Sequence, residues 1–172
     1  ASGFYNMPFA LRLRGLLNHR ALEDSFTTII ARHETLRTRF VIEDNQVMQR
    51  IDPATDFHLQ WLDWATHSPL EQQAMLEKLI GEEDSRPFDL SQQQPLRALL
   101  IRMSDEEHVL HLVLHHIVAD GWSIGVLVRE LSAIYQSLSN ELPLSLPPLT
   151  IQYADYAAWQ RQTLNAEMLE AQ

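Results

Sequence analysis

The chain has 172 residues, 45% of them hydrophobic, which suffices for one substantial core and for one domain. A formal net charge of −10 and a pI near 5.1, without any Lys/Arg cluster, argue against a nucleic-acid partner. The absence of cysteine excludes disulfides, thiol nucleophiles and Cys-based zinc sites, and no window reads as a signal peptide or a membrane span.

Taken in order, Phe9 to Arg14 alternates apolar and basic residues, the pattern of a half-buried strand. Asn18 is a candidate N-cap for a helix that places Leu22, Phe26, Ile29, Ile30 and His33 on one face. Thr35 to Ile42 alternates again, Glu43-Asp44-Asn45 supplies a turn, and Gln46 to Ile51 is the return strand of a hairpin ended by Asp52-Pro53. Phe57 to Leu62 is a further strand. Ser68 or Pro69 opens a helix with Leu70, Ala74, Leu76, Leu79 and Ile80 on its apolar side and Gly81 near its end. Glu82 to Pro95 reads as a loop that tucks in Phe88 and Leu90. Leu96 to Met103 and the residues from His108 onward then form an antiparallel hairpin. Asn140 to Pro148 is proline-rich and extended, and Ile151 to Gln172 reads as a final helix. Interleaved strands and helices with two hairpins predict an α/β (α+β) two-layer sandwich, a mixed sheet with helices packed on it.

Candidate chemistry gathers in Val109 to Ser123, VLHLVLHHIVADGWS. Its β-branched apolar run predicts a strand buried on both faces, and Ile124, Leu127, Val128, Leu131, Ile134, Tyr135 and Leu138 mark an amphipathic helix after the break. Side chains alternate along a strand, so His111 and His115 share one face with Val109 and Val113, while His116 points the other way. His111 and His115 lie roughly 13 Å apart at the usual strand rise, too far to share one zinc ion. No metal site is therefore expected. A neutral imidazole at the strand end, His116, suits a base or hydrogen-bond acceptor near neutral pH. Asp120 has an ordinary turn-capping role available, and as a carboxylate beside a buried strand it needs a partner, with Arg32, Arg37 and Arg39 the strong donors at hand.

His115 to Gly121 fits the HHxxxDG signature of the condensation domains of nonribosomal peptide synthetases, within the acyltransferase group of chloramphenicol acetyltransferase. Three further stretches agree in order and spacing. Arg32 to Phe40, RHETLRTRF, resembles the family's RHExLRTxF. Tyr153 to Trp159, YADYAAW, resembles YxDFAxW. Arg86 to Arg97, RPFDLSQQQPLR, resembles the PFDL…PLR segment. The family's first motif, expected ahead of Phe4, and everything after YxDFAxW have no counterpart in the sequence. Residues 1–172 therefore resemble the N-terminal lobe of a two-lobed domain.

The resemblance implies a peptide-bond-forming acyltransferase. A carrier-bound aminoacyl or peptidyl thioester passes to the amine of a second carrier-bound amino acid, both held on phosphopantetheine arms of partner carrier domains. No cofactor on the chain itself is implied. It makes His116 the catalytic residue, as general base or as positioning group, and His115 a structural neighbour. It gives Asp120 a structural role in an arginine pair, with Arg37 first and Arg32 second. Gly121 is a candidate amide donor to the oxyanion. Trp122 and Ser123 are substrate-proximal, with packing and helix capping as their plain roles. Partners implied are the two carriers, a C-terminal lobe and an adenylation domain in the cytoplasm, with neither nucleic acid nor membrane. The lobe alone is expected to be inactive. The other readings are a non-catalytic carrier-docking platform and a free-standing HxxxD acyltransferase.

Overall fold

Four strands form a mixed sheet in the order β1 (Asn6–Arg14), β6 (Glu107–His115), β5 (Leu96–Ser104) and β4 (Gln60–Asp63), in the computed structural model that describes residues 3–163. β1 and β5 run antiparallel to the central β6, and β4 pairs parallel with β5. From Val109 to Leu114 every residue of β6 is buried, because both faces of the sheet are covered.

One face carries α1 (His19–Arg32) and α3 (Gly121–Ser139). Leu110, Leu112 and Leu114 of β6, and Leu96, Ala98 and Leu100 of β5, pack there against Leu22, Phe26, Ile29, Ile30, Leu127, Leu131 and Ile134. Asn18 caps α1 as expected, accepting from the Ala21 amide at 3.0 Å. The other face carries α2 (Pro69–Ser85), where Trp64, Leu76, Leu99, Ile101 and Val109 form a smaller core. A mixed sheet with packed helices is thus observed, as expected, with α2 on the face opposite α1 and α3.

Three local expectations need correction. Residues Glu34–Arg37 form a 3-10 turn, and the strand β2 begins at Thr38 and runs to Glu43, because Leu36 tucks into the α1/α3 core. β4 is four residues long and starts at Gln60, since the amides of Phe57 and Leu59 are taken by Thr27 and Glu23 side chains of α1. In α2, Leu70 and Ala74 are exposed while Gln72 is buried, donating its amide to the Trp64 and Met103 carbonyls at 2.8 Å each; the helix continues past Gly81 to Ser85. Its start is as expected, with a Ser68–Glu71 capping box and Pro69 at the first position.

The hairpin of β2 and β3 (Gln46–Ile51) turns through Asp44 and Asn45, both at positive φ, the geometry of a two-residue hairpin turn. Residues 142–149 hold no regular element, and α4 (Tyr153–Thr163) follows; the remainder of the helix expected to Gln172 lies outside the described residues. Among the described residues no helix is long and apolar enough to cross a membrane.

Candidate functional site

Strand β6 ends at His115, so His116 stands in the turn after the strand rather than as its last residue. The chain leaves the sheet in a fixed way. The His115 amide donates to the Pro95 carbonyl at 3.0 Å, the His116 amide to Tyr5 at 2.9 Å, and the Val118 amide to His115 at 3.1 Å. With β1 and β5 holding it on both sides, the turn projects the His116 ring outward, exposed to solvent.

His116 Nδ1 lies 2.8 Å from the Ala119 carbonyl oxygen. A carbonyl only accepts, so Nδ1 must carry the proton, and in the neutral ring Nε2 is the lone-pair nitrogen. His115 has the opposite tautomer. Its Nδ1 accepts from the Ile117 amide at 3.1 Å, so its proton sits on Nε2. Burial, and then the neighbouring His116, push the His115 pKa below the ordinary histidine value. The two adjacent histidines therefore differ: one is half-buried with Nδ1 accepting, the other exposed with Nδ1 donating and the lone pair on Nε2.

Asp120 is the N-cap of α3. Its carboxylate accepts from the Ser123 amide at 2.8 Å and the Ser123 hydroxyl at 2.7 Å, and these bonds hold its pKa below the usual carboxylate range. The pairing with Arg37 or Arg32 is not formed. Arg37 donates to the Asp52 carbonyl at 2.6 Å, at the end of the hairpin, and Arg32 reaches Glu130 at 3.0 Å. Arg39 makes a two-pronged bond to the Asp52 carboxylate. Asp120 sits at the surface, where backbone and hydroxyl donors suffice. Ser123 is consequently not the cap itself but the third residue of the helix, with its hydroxyl proton committed to Asp120. Trp122 is 83% exposed and packs into no core, contrary to its plain reading.

Behind the turn lies a small apolar pocket of about 220 Å³ between the end of α1 and the start of α3. Leu36, Leu114, Ala119 and Leu127 form its base, and Trp122 and Ser123 its rim. His33 also lines it, held by Glu130 at 2.7 Å. Burial alone would raise the Glu130 pKa, but the bonds from His33 and Arg32 outweigh it and the group stays below its ordinary value. The structure thus gathers His115, His116, Asp120, Gly121, Trp122 and Ser123 at one end of the sheet, while Arg37 serves the hairpin. Sequence reasoning missed the roles of the Tyr5 and Ala119 carbonyls, of His33 with Glu130, and of Gln152. The last accepts from the Glu34 amide at 3.2 Å and donates to the Arg32 carbonyl at 2.9 Å. Among the described residues no cluster of three or more histidine or acidic side chains could hold a metal ion.

Known proteins resemble this chain in sequence and fold. The Condensation domain family matches residues 1–172. One protein of the linear gramicidin synthase of Brevibacillus parabrevis is 48% identical over 98% of this chain, and malpibaldin synthetase of Mortierella alpina 46% over 99%. The chain spans only 2% and 3% of those two proteins' lengths. Among solved structures, the X-domain from teicoplanin biosynthesis is 34% identical with a TM-score of 0.84, over 95% of this chain and 35% of that one. The starter condensation domain of rhizomide synthetase, at 19% identity, shares the fold with a TM-score of 0.83 over 95% of this chain and 40% of its own. A histidine pair at the end of a doubly covered strand, the capped helix after it and a family match along the entire length lead to one conclusion: the chain belongs to the condensation-domain family of nonribosomal peptide synthetases.

Proposed function

We propose that this chain is the N-terminal catalytic lobe of a peptide-bond-forming condensation domain, with His116 as the residue that meets the substrates. The observation that carries the reading is the bond from His116 Nδ1 to the Ala119 carbonyl, which leaves Nε2 as the outward acceptor. The acceptor amine, held on one carrier's phosphopantetheine, attacks the thioester carbonyl held on the other. A C–N bond forms and the C–S bond breaks; the amine proton passes to His116 Nε2 and from there to the departing thiolate. A free α-amine has a pKa of about 8, so a neutral imidazole is base enough. Holding two tethered reactants in register supplies much of the remaining acceleration. Gly121, at the start of α3, offers an unencumbered backbone beside the reacting carbonyl.

This chain spans 35% and 40% of the two solved relatives, which supports a reaction chamber walled on its far side by a second lobe. Carrier domains and an adenylation domain complete the assembly. The test is peptide formation between two loaded carrier proteins, using this chain alone, the chain with a separately made C-terminal lobe, and the complemented His116→Ala variant. Product is expected from the complemented wild type and not from the chain alone, with complemented His116→Ala lower by about 10²–10⁴-fold. Full activity of the variant would refute a proton-handling role.

A further inference from the structure

We infer that Arg97 and Phe88 are positioning residues for His116, acting by fixing the His115 ring as the acceptor that pins the His116 turn. This rests on the proposed role of His116, and it concerns two residues on the sheet face opposite α1 and α3.

The chain of contacts is short and complete. Arg97 projects from β5, with its guanidinium carbon 3.9 Å from the centroid of the buried Phe88 ring. Its Nη2 donates to the Glu83 carbonyl at 2.9 Å and the Arg86 carbonyl at 2.8 Å, so the cation is tied to the closing turn of α2. Asn6 adds its own amide to the Asp84 and Arg86 carbonyls, at 2.7 and 2.9 Å, and Asn6 lies opposite His115 in the β1–β6 register. Phe88 meets His115 edge-on, with ring centroids 5.9 Å apart and planes at 84°. Tyr5 stands against the same imidazole, at 6.1 Å.

His115 is therefore held between two aromatic rings in the one orientation that turns Nδ1 to the Ile117 amide. A flipped ring would present a C–H to that amide, and a protonated one an N–H; either leaves the donor without a partner. Around the imidazole the titratable and charged groups are His116 on its own turn, Tyr5 ahead of β1, and Arg97 of β5 beyond Phe88. Arg97 is in turn flanked by Glu83, whose carboxylate is 3.5 Å from its Nε, and by Arg86 and Asp84. A lysine would keep a positive charge near Phe88 without the planar guanidinium that lies over its ring.

The test reads His115 directly. In this chain, imidazole nitrogen NMR is expected to show His115 as a single Nε2–H tautomer that titrates below the ordinary histidine value of about 6.5. In Arg97→Gln and in Phe88→Leu, His115 is expected to populate both tautomers and to titrate closer to that ordinary value. Arg97→Lys is expected to restore the single tautomer in part, and Ile134→Val, a core change on the other face, to leave it untouched. In the complemented condensation assay both disabling variants are expected to lose at least about tenfold in kcat, with KM for the loaded carriers unchanged. An unaltered His115 tautomer and titration in either folded variant overturns the proposal; should Arg97→Gln not fold, Phe88→Leu decides it. Absence of product from complemented wild type would fault the proposed reaction instead, and the tautomer result would stand apart from it.

Discussion

A histidine's usefulness depends on which nitrogen is occupied, and here the occupying groups are backbone carbonyls and amides. The Ala119 carbonyl sets the tautomer of His116, and the Ile117 amide sets that of His115. Asp120 also works through main-chain bonds, so Asp120→Ala should remove one α3 cap and lower the melting temperature by about 2–4 °C, measured by calorimetry. Its pKa is depressed in the folded state, so the contribution is present above the ordinary carboxylate value and lost as pH falls through the folded one. That His115, His116 and Asp120 meet between the end of β6 and the start of α3 was legible from the strand and helix periods on either side. The Tyr5 and Ala119 carbonyls were not, since a main-chain group has no letter of its own. Arg37 was legible as a strong donor but not by its partner. Two arginines and the end of a hairpin converge on Asp52, far from Asp120 in sequence, and only the fold brings that about.

At the scale of elements, β6 is the member on which both cores depend. Leu112 is fully buried against α1 and α3, so Leu112→Ala should cost about 2–5 kcal/mol in a urea titration, with the slope retained. β6 and α3 could be read from their apolar periods because their burial is simple: two covered faces in one case, a single stripe in the other. α2 could not. Its exposed face includes Leu70, while Gln72 turns inward, because the amide side chain satisfies two carbonyls where the chain enters α2 and where β5 ends. A binary apolar pattern carries no information about such a polar bridge. The 3-10 turn at Glu34–Arg37 escaped for a related reason: alternation at Leu36 and Thr38 suits a strand, but the short span from α1 to the hairpin forces a tighter path.

For the molecule as a whole, pH acts through histidines more than through the large acidic excess. Burial first, and Arg102 next, depress the pKa of His108; burial and His116 do the same for His115. Both gain protons less readily when folded than when unfolded. Their stabilising contribution is full above the ordinary histidine value of about 6.5 and declines as pH falls through it toward the folded values. Urea midpoints at pH 8.0, 6.5 and 5.5 should therefore fall in that order, and His108→Asn should flatten the trend. The net charge shrinks over the same interval, so relief of self-repulsion runs against the effect and cannot account for it. The two rims of the sheet have a consequence of their own. Among the described residues β1 and β4 each leave one side without a neighbouring strand, and such rims invite other chains to add themselves on. β4 is only four residues long and carries Asp63; β1 is longer but bears Pro8 and exposes Arg12 and Arg14. The alternating basic residues that mark β1 in the sequence thus act as gatekeepers against stacking of copies. Arg12→Val with Arg14→Val should leave the fold intact yet raise light scattering on concentration, and an unchanged scattering profile would show that the rim is guarded elsewhere.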